Sequence, residues 1–195
     1  ALRDAQEQWE QSLRTAERAW IPLAPTHATA TNGVTLTALP DHSLLASGPN
    51  PVLTSYEITV DTMAQEITGL RLETLPDRSL PRSGPGRDAY GHFRVTGLHV
   101  EIAPATSPGG RGEAVQFTTM KVDDSAYPFA AADLLSAGRG PASRKGGSWA
   151  INAMRDSERV PRHAVLAAQT PFGFPGGTRI TVRIDHLDGT IGQGI

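Results

Sequence analysis

Cysteine is absent from the 195 residues, which removes disulfides, thiol nucleophiles, thiolate zinc and iron–sulfur chemistry. Lysine is scarce as well. Lys121 and Lys145 stand against sixteen Arg, a bias that a GC-rich coding sequence explains more economically than a phosphate-binding task. An excess of one charge is also missing: eighteen basic and twenty acidic residues give a formal net charge of −2. No long-range field draws such a chain to nucleic acid or anionic lipid. No apolar run approaches the ~20 residues that cross a bilayer, and the first twenty residues are polar and charged, unlike a signal peptide. Neither nucleic acid nor membrane insertion is expected. Aromatics reach only 6%, so stacking platforms are few. What the chain does have is 20 Gly and 15 Pro, roughly 18% against a usual value of about 12%, which favours turns over long helices.

At 20.7 kDa the length suits one domain with an appendage. Residues 1–24 read as an N-terminal helix and linker, and 25–195 as a single β-sandwich domain. In the first part Leu2, Ala5, Trp9, Leu13, Ala16 and Trp20 recur at helical spacing, predicting a helix over residues 2–20 with one apolar side. Pro22 and Pro25 stop it. That stripe would dock on the sandwich or meet a neighbouring domain. The missing initiator Met and the abrupt Gly192-Gln193-Gly194-Ile195 ending suggest a piece of a longer protein.

After Pro25 short runs rich in Val, Ile, Thr and Leu alternate with Gly, Pro, Asp and Asn every eight to twelve residues, the punctuation of an all-β sandwich. The expected strands are Val34–Leu39, Ser43–Ser47, Ser55–Val60, Ile67–Leu75, His92–Ile102, Glu113–Val122, Ser148–Met154, His163–Thr170 and Thr178–Leu187. In Thr178–Ile184 and Leu70–Leu75 apolar residues take alternate positions, so one face is buried. Asn32-Gly33 and Pro40-Asp41-His42 read as turns, the second closing a hairpin. Residues 76–90, 104–112 and 136–147 read as Gly/Pro loops.

Hydrolase chemistry finds little footing. There is no Gly-x-Ser-x-Gly elbow, and Gly146-Gly147-Ser148-Trp149 opens a strand, with Trp149 reading as core. His27, His42, His92, His99, His163 and His186 show no metal-ligand spacing. Glu57, Glu73 and Glu101 occupy outward strand positions. Asp123 and Asp124 follow a strand and are the candidate metal ligands, for calcium, or else a solvated acidic turn. Sugar binding needs a stacking ring with Arg, Asn or Asp nearby, and two loop zones offer one: Arg87 to His92, and Thr170 to Gly177 with Phe172 and Phe174. The candidate ligand residues are therefore Arg87, Tyr90, His92, Phe172 and Phe174. Arg87, following Gly84-Pro85-Gly86, either forks onto an acidic sugar or ties its loop to the sandwich.

Trp20-Ile21-Pro22-Leu23-Ala24-Pro25, Leu39 to Gly48, Tyr56-Glu57-Ile58, Ile67 to Glu73, Ser79 to Arg87 and Gly91-His92-Phe93 occur in an order that resembles a known module. It is the β-sandwich domain of large exported planctomycete and verrucomicrobial proteins that also carry a planctomycete-type cytochrome c domain. The resemblance spans about residues 8–195. Tyr90 and His92 stand where that family usually has Asn, and the family's closing strand past Gly192, with an aromatic and Arg, is missing. The resemblance implies a galactose-binding or concanavalin-like jelly roll, a periplasmic or extracellular setting, polysaccharide-related work and contact with flanking domains of the same chain. The haem would sit elsewhere, since there is no Cys-x-x-Cys-His. The expected function is a non-catalytic carbohydrate-binding or substrate-docking module. The alternatives are a structural spacer and a lectin-like polysaccharide-degrading enzyme.

Overall fold

The computed structural model describes residues 20–106, 112–139, 147–186 and 194–195. These form twelve antiparallel strands and three 3-10 turns, without an α-helix among them. The predicted N-terminal helix lies outside the described residues except for Trp20, which is 38% exposed.

Of the five strands that build the principal sheet, four were legible as alternating or β-rich segments. β12 (Thr178–His186) lies at its centre, between β4 (Thr54–Thr62) and β7 (Gly97–Pro104). β1 (Pro25–Ala30) and the two-residue β8 (Glu113–Ala114) form its edges. Alternation sorts much of the sheet, with Tyr56, Val60, Val100, Ile102, Ile180 and Ile184 buried while Glu57, Asp61, His99, Glu101 and Arg183 face solvent, and it lapses at the end of β12, where Asp185 and His186 are buried as well. Glu57 and Glu101 thus stand outward as their spacing predicts, and so does Glu73 on β5. A second sheet orders β5 (Ile67–Thr74), β11 (Arg162–Phe172) and β9 (Phe117–Val122). β2 (Thr35–Ala38) pairs with β3 (Leu44–Ser47) in the predicted hairpin, and β6 (Phe93–Val95) pairs with β10 (Trp149–Ile151).

All four sheets empty their apolar residues into one cluster. Tyr56 and Ile184 come from the first, Met120, Ala164 and Leu166 from the second, Val34 and Ala46 from the hairpin region, and Phe93, Val95, Trp149 and Ile151 from the small pair. A smaller cluster around Val60, Val100, Ile102 and Ile180 gathers Ile67, Leu70 and Phe117. Trp149 is core, as predicted. It is fully buried, meets Phe93 edge-on at 4.9 Å and 82°, and its indole N–H donates to the Asp124 carbonyl at 2.9 Å. Burying each such side chain stabilises the fold by roughly 1.5 to 3 kcal/mol.

Two predicted strands each divide and change sheets. His92–Ile102 becomes β6 and β7, because at Thr96-Gly97 the chain crosses to the principal sheet. There the Thr96 amide donates to the Asp185 carbonyl at 2.7 Å, and a Cβ on Gly97 would stand 2.8 Å from the Asp185 carboxylate. Glu113–Val122 likewise becomes β8, on β7, and β9, on β11. β1 was not expected: Pro-Thr-His-Ala-Thr-Ala carries little apolar signal, and its extended form comes from pairing with β4. Residues 131–139 form a 3-10 segment where a loop was expected to begin at 136.

Candidate functional site

The segment from Leu80 to His92 is held by backbone proximity and contributes the most exposed of the predicted ligand residues. Pro81–Ser83 makes one 3-10 turn in which Arg82 and Ser83 both adopt φ of +53°. Two successive non-glycine residues in the left-handed region store backbone strain that the surroundings must enforce. The enforcement is a crossing of glycines. A Cβ on Gly84 would stand 2.8 Å from the Gly91 Cα, and one on Gly86 would overlap the His92 carbonyl. The Gly86 amide donates to the Gly91 carbonyl at 3.0 Å. The Asp88 carboxylate then accepts the amides of Tyr90 at 2.9 Å and His92 at 2.6 Å, closing the turn.

This geometry stacks the predicted pair. Tyr90 and His92 lie with ring centroids 5.6 Å apart at 29°, and Tyr90 is 45% exposed. His92 Nδ1 accepts the Ala153 amide at 2.8 Å, so in the neutral ring the proton sits on Nε2. The Arg82 guanidinium lies over the Tyr90 ring, 5.2 Å from its centroid. Arg82 was not predicted. It reaches Tyr90 only through the Gly84–Gly91 crossing, and no spacing rule signals that contact.

Arg87 goes elsewhere. It is 6% exposed, and its Nη2 donates to the carbonyls of Gly48 at 3.0 Å and Pro49 at 2.8 Å, while its own carbonyl accepts from Asn50. The loop-tying reading of Arg87 describes this placement, and the guanidinium is not displayed beside Tyr90. Beneath the loop Arg87 lies against Tyr56 and His186, whose rings sit 5.1 Å apart. Burial pushes the Tyr56 phenol up, with Arg87 pulling it part of the way back. Burial also pushes His186 down to about 4, and the Arg87 charge adds to the fall, although the Arg94 carbonyl and Asp185 oppose it. Tyr56 and His186 are 2% and 1% exposed. A His-Tyr-Arg group therefore exists, but sealed in the interior and not in a cleft where a polysaccharide would enter.

The second aromatic zone is not a platform. Phe172 ends β11, and both Phe172 and Phe174 turn half-buried into the smaller cluster. Asp123 and Asp124 share a cation: Arg162 approaches their carboxylates at 3.7 and 3.4 Å, and His163 Nδ1 stands 3.7 Å from Asp123. Calcium takes six to eight oxygens, whereas here an arginine already faces both carboxylates, and no group of three or more His, Asp or Glu able to hold a metal occurs among the described residues. The arrangement does not fit calcium. On the outer face of the principal sheet the buried Asp185 carboxylate accepts from Ser55 at 2.6 Å and Arg183 at 2.8 Å, with His99 at 3.5 Å. A depression of about 270 Å³ beside it is lined by Thr29, Thr31, Ser55, Tyr56, Glu57 and Arg183, and includes none of the predicted ligand residues. No helix among the described residues is long and apolar enough to cross a membrane. Comparison with family models, curated proteins and solved structures returns no match.

Proposed function

We propose that this domain is a non-catalytic carbohydrate-binding or substrate-docking module, a jelly-roll sandwich within an exported multidomain protein of the kind its sequence resembles. One observation carries the reading: an exposed tyrosine ring, stacked on His92 and capped by Arg82, stands on a turn braced by Asp88 and two glycine contacts. Rigid display of an amphipathic ring beside hydrogen-bonding groups is what a sugar site requires. Arg82 makes no ion pair with a described residue. A guanidinium stacked on a ring keeps its in-plane donors free, so Arg82 takes the anion-forking role that the sequence suggested for Arg87. The ligand class is an acidic oligosaccharide, a uronate or sulfate. The jelly-roll assignment draws support from the two strands that switch sheets and from the core shared by the two larger sheets. The periplasmic or extracellular setting rests on the sequence resemblance.

A single such site supports modest affinity, on the order of 0.1 to 1 mM after association costs. The test is an NMR titration with acidic and neutral oligosaccharides, with and without calcium, on wild type and Tyr90→Ala. Amides of residues 82–92 shift with acidic ligands in wild type and lose that response in Tyr90→Ala, whose folding is unchanged because the ring is half out of the protein. Absence of any shift there with every glycan overturns the reading and favours the spacer, to which the exposure of Trp20 and Ile21, 38% and 67%, lends its own support.

A further inference from the structure

The geometry points to an interior binding site for one neutral hydroxylic oxygen of water size, held between Arg87, Tyr56 and His186. Three side-chain atoms there make no well-aligned hydrogen bond although each is buried: Arg87 Nη1, the Tyr56 hydroxyl and His186 Nε2, with the Arg87 side chain near enough to the phenol to favour its charged form. Buried polar atoms are almost always partnered, and three orphans on mutually adjacent side chains mark a shared partner more than three separate defects.

The chemistry of that partner follows from the protons. Arg87 Nη1 can only donate. His186 Nδ1 lies 2.8 Å from the Arg94 carbonyl, which can only accept, so Nδ1 carries the hydrogen. Burial and the Arg87 charge keep the ring neutral, which leaves Nε2 as a bare acceptor. Tyr56 stays protonated, since burial raises its phenol, and can donate or accept. An anion would be received by Arg87 and Tyr56 but would face the His186 lone pair. A cation would face the guanidinium. An oxygen that accepts from Arg87 and Tyr56 and donates to His186 satisfies all three.

Size narrows the class further. A Cβ on Gly194 would overlap the Tyr56 hydroxyl and stand 3.4 Å from Arg87 Cδ, and the Arg87 amide donates to the Gly194 carbonyl at 3.2 Å. With the chain that close, the occupant we assign is the smallest hydroxylic one, a single water, and not a sugar or polyol. Buried waters make about three hydrogen bonds each and occur about once per 27 residues, so the demand is ordinary. Such a water joins β4, β12 and the loop that carries Tyr90, and it is independent of whether that loop binds glycans.

NMR on the full chain tests this. The expected result has three parts: a protonated Nδ1 and an unprotonated, hydrogen-bond-accepting Nε2 on His186, cross-relaxation of the sign given by a long-lived water at the Tyr56 hydroxyl or His186 Hε1, and no saturable shift of those signals with sodium formate or sodium chloride. In Tyr56→Phe the water signal weakens or vanishes while the Nδ1 proton bonded to Arg94 persists. A protonated Nε2, a saturable anion response, or no long-lived water at either group overturns the assignment, whether or not Tyr56→Phe folds.

Discussion

Gly86→Ala is the substitution whose cost can be worked most directly. Gly86 does not use a left-handed backbone, so an alanine there suffers no φ penalty and any loss is steric. Its Cβ would overlap the His92 carbonyl and lie 2.7 Å from the Phe93 amide nitrogen, where an ordinary contact is 3.4 Å or more. Both are backbone atoms and cannot swing aside. Relief requires residues 84–87 to part from 91–93. That breaks the Gly86-to-Gly91 hydrogen bond and further stretches the one from Asp88 to His92, already 3.5 Å, at about 1 kcal/mol each. It also displaces Phe93, fully buried against Trp149, for which overpacking costs about 1 to 3 kcal/mol. The total is about 3 to 5 kcal/mol, or roughly 10 °C in Tm for a chain of this size. Urea unfolding reads it as a lowered midpoint with an unchanged slope. Gly176→Ala is the counterpart: nothing lies within 4 Å, but φ is +87°, so it loses only about 1 to 2 kcal/mol through conformation. If Gly86→Ala costs no more than Gly176→Ala, the backbone crossing does not hold the loop as argued.

The buried His186 makes stability depend on pH. Its folded value of about 4 lies below the ordinary 6.5, so the unfolded chain takes up the proton first, and stability present above 6.5 is lost as pH falls towards 4, by up to roughly 3 kcal/mol. Urea midpoints across that window fall steeply in wild type and less steeply in His186→Asn, which keeps a donor for the Arg94 carbonyl; parallel curves would contradict this origin. Asp88→Ala removes the acceptor of two amides, so a loss of about 1 to 2 kcal/mol is expected, together with faster hydrogen exchange at Tyr90 and His92. Asp88→Asn restores both, and unchanged exchange in the alanine variant would refute the bracing role.

Local chemistry alone made much of the β framework legible. Alternation in Thr178–Ile184 announced a half-buried strand, and β12 is one, since a period of two forces the faces apart. Asn32-Gly33 announced a turn, and its two residues take φ of +58° and +80°, angles that Asn and Gly adopt at little cost. Trp149 announced core through its size and its strand setting. The neighbourhood of Tyr90 and His92 was legible too, because glycine, proline and an Asp two residues ahead of Tyr90 are the makings of a turn. Partnership was not. A sequence records which side chains leave a strand on the same face, not which strand arrives beside it. For that reason the switches of sheet at Gly97 and between β8 and β9, the edge strand β1, and the turning of Phe172 and Phe174 into the core were decided by tertiary packing. The same holds for the two arginines. Arg82 and Arg87 carry identical donors five residues apart, and only the glycine crossing, which opens one to solvent over Tyr90 and folds the other down beside Tyr56 and His186, distinguishes the exposed fork from the buried clamp.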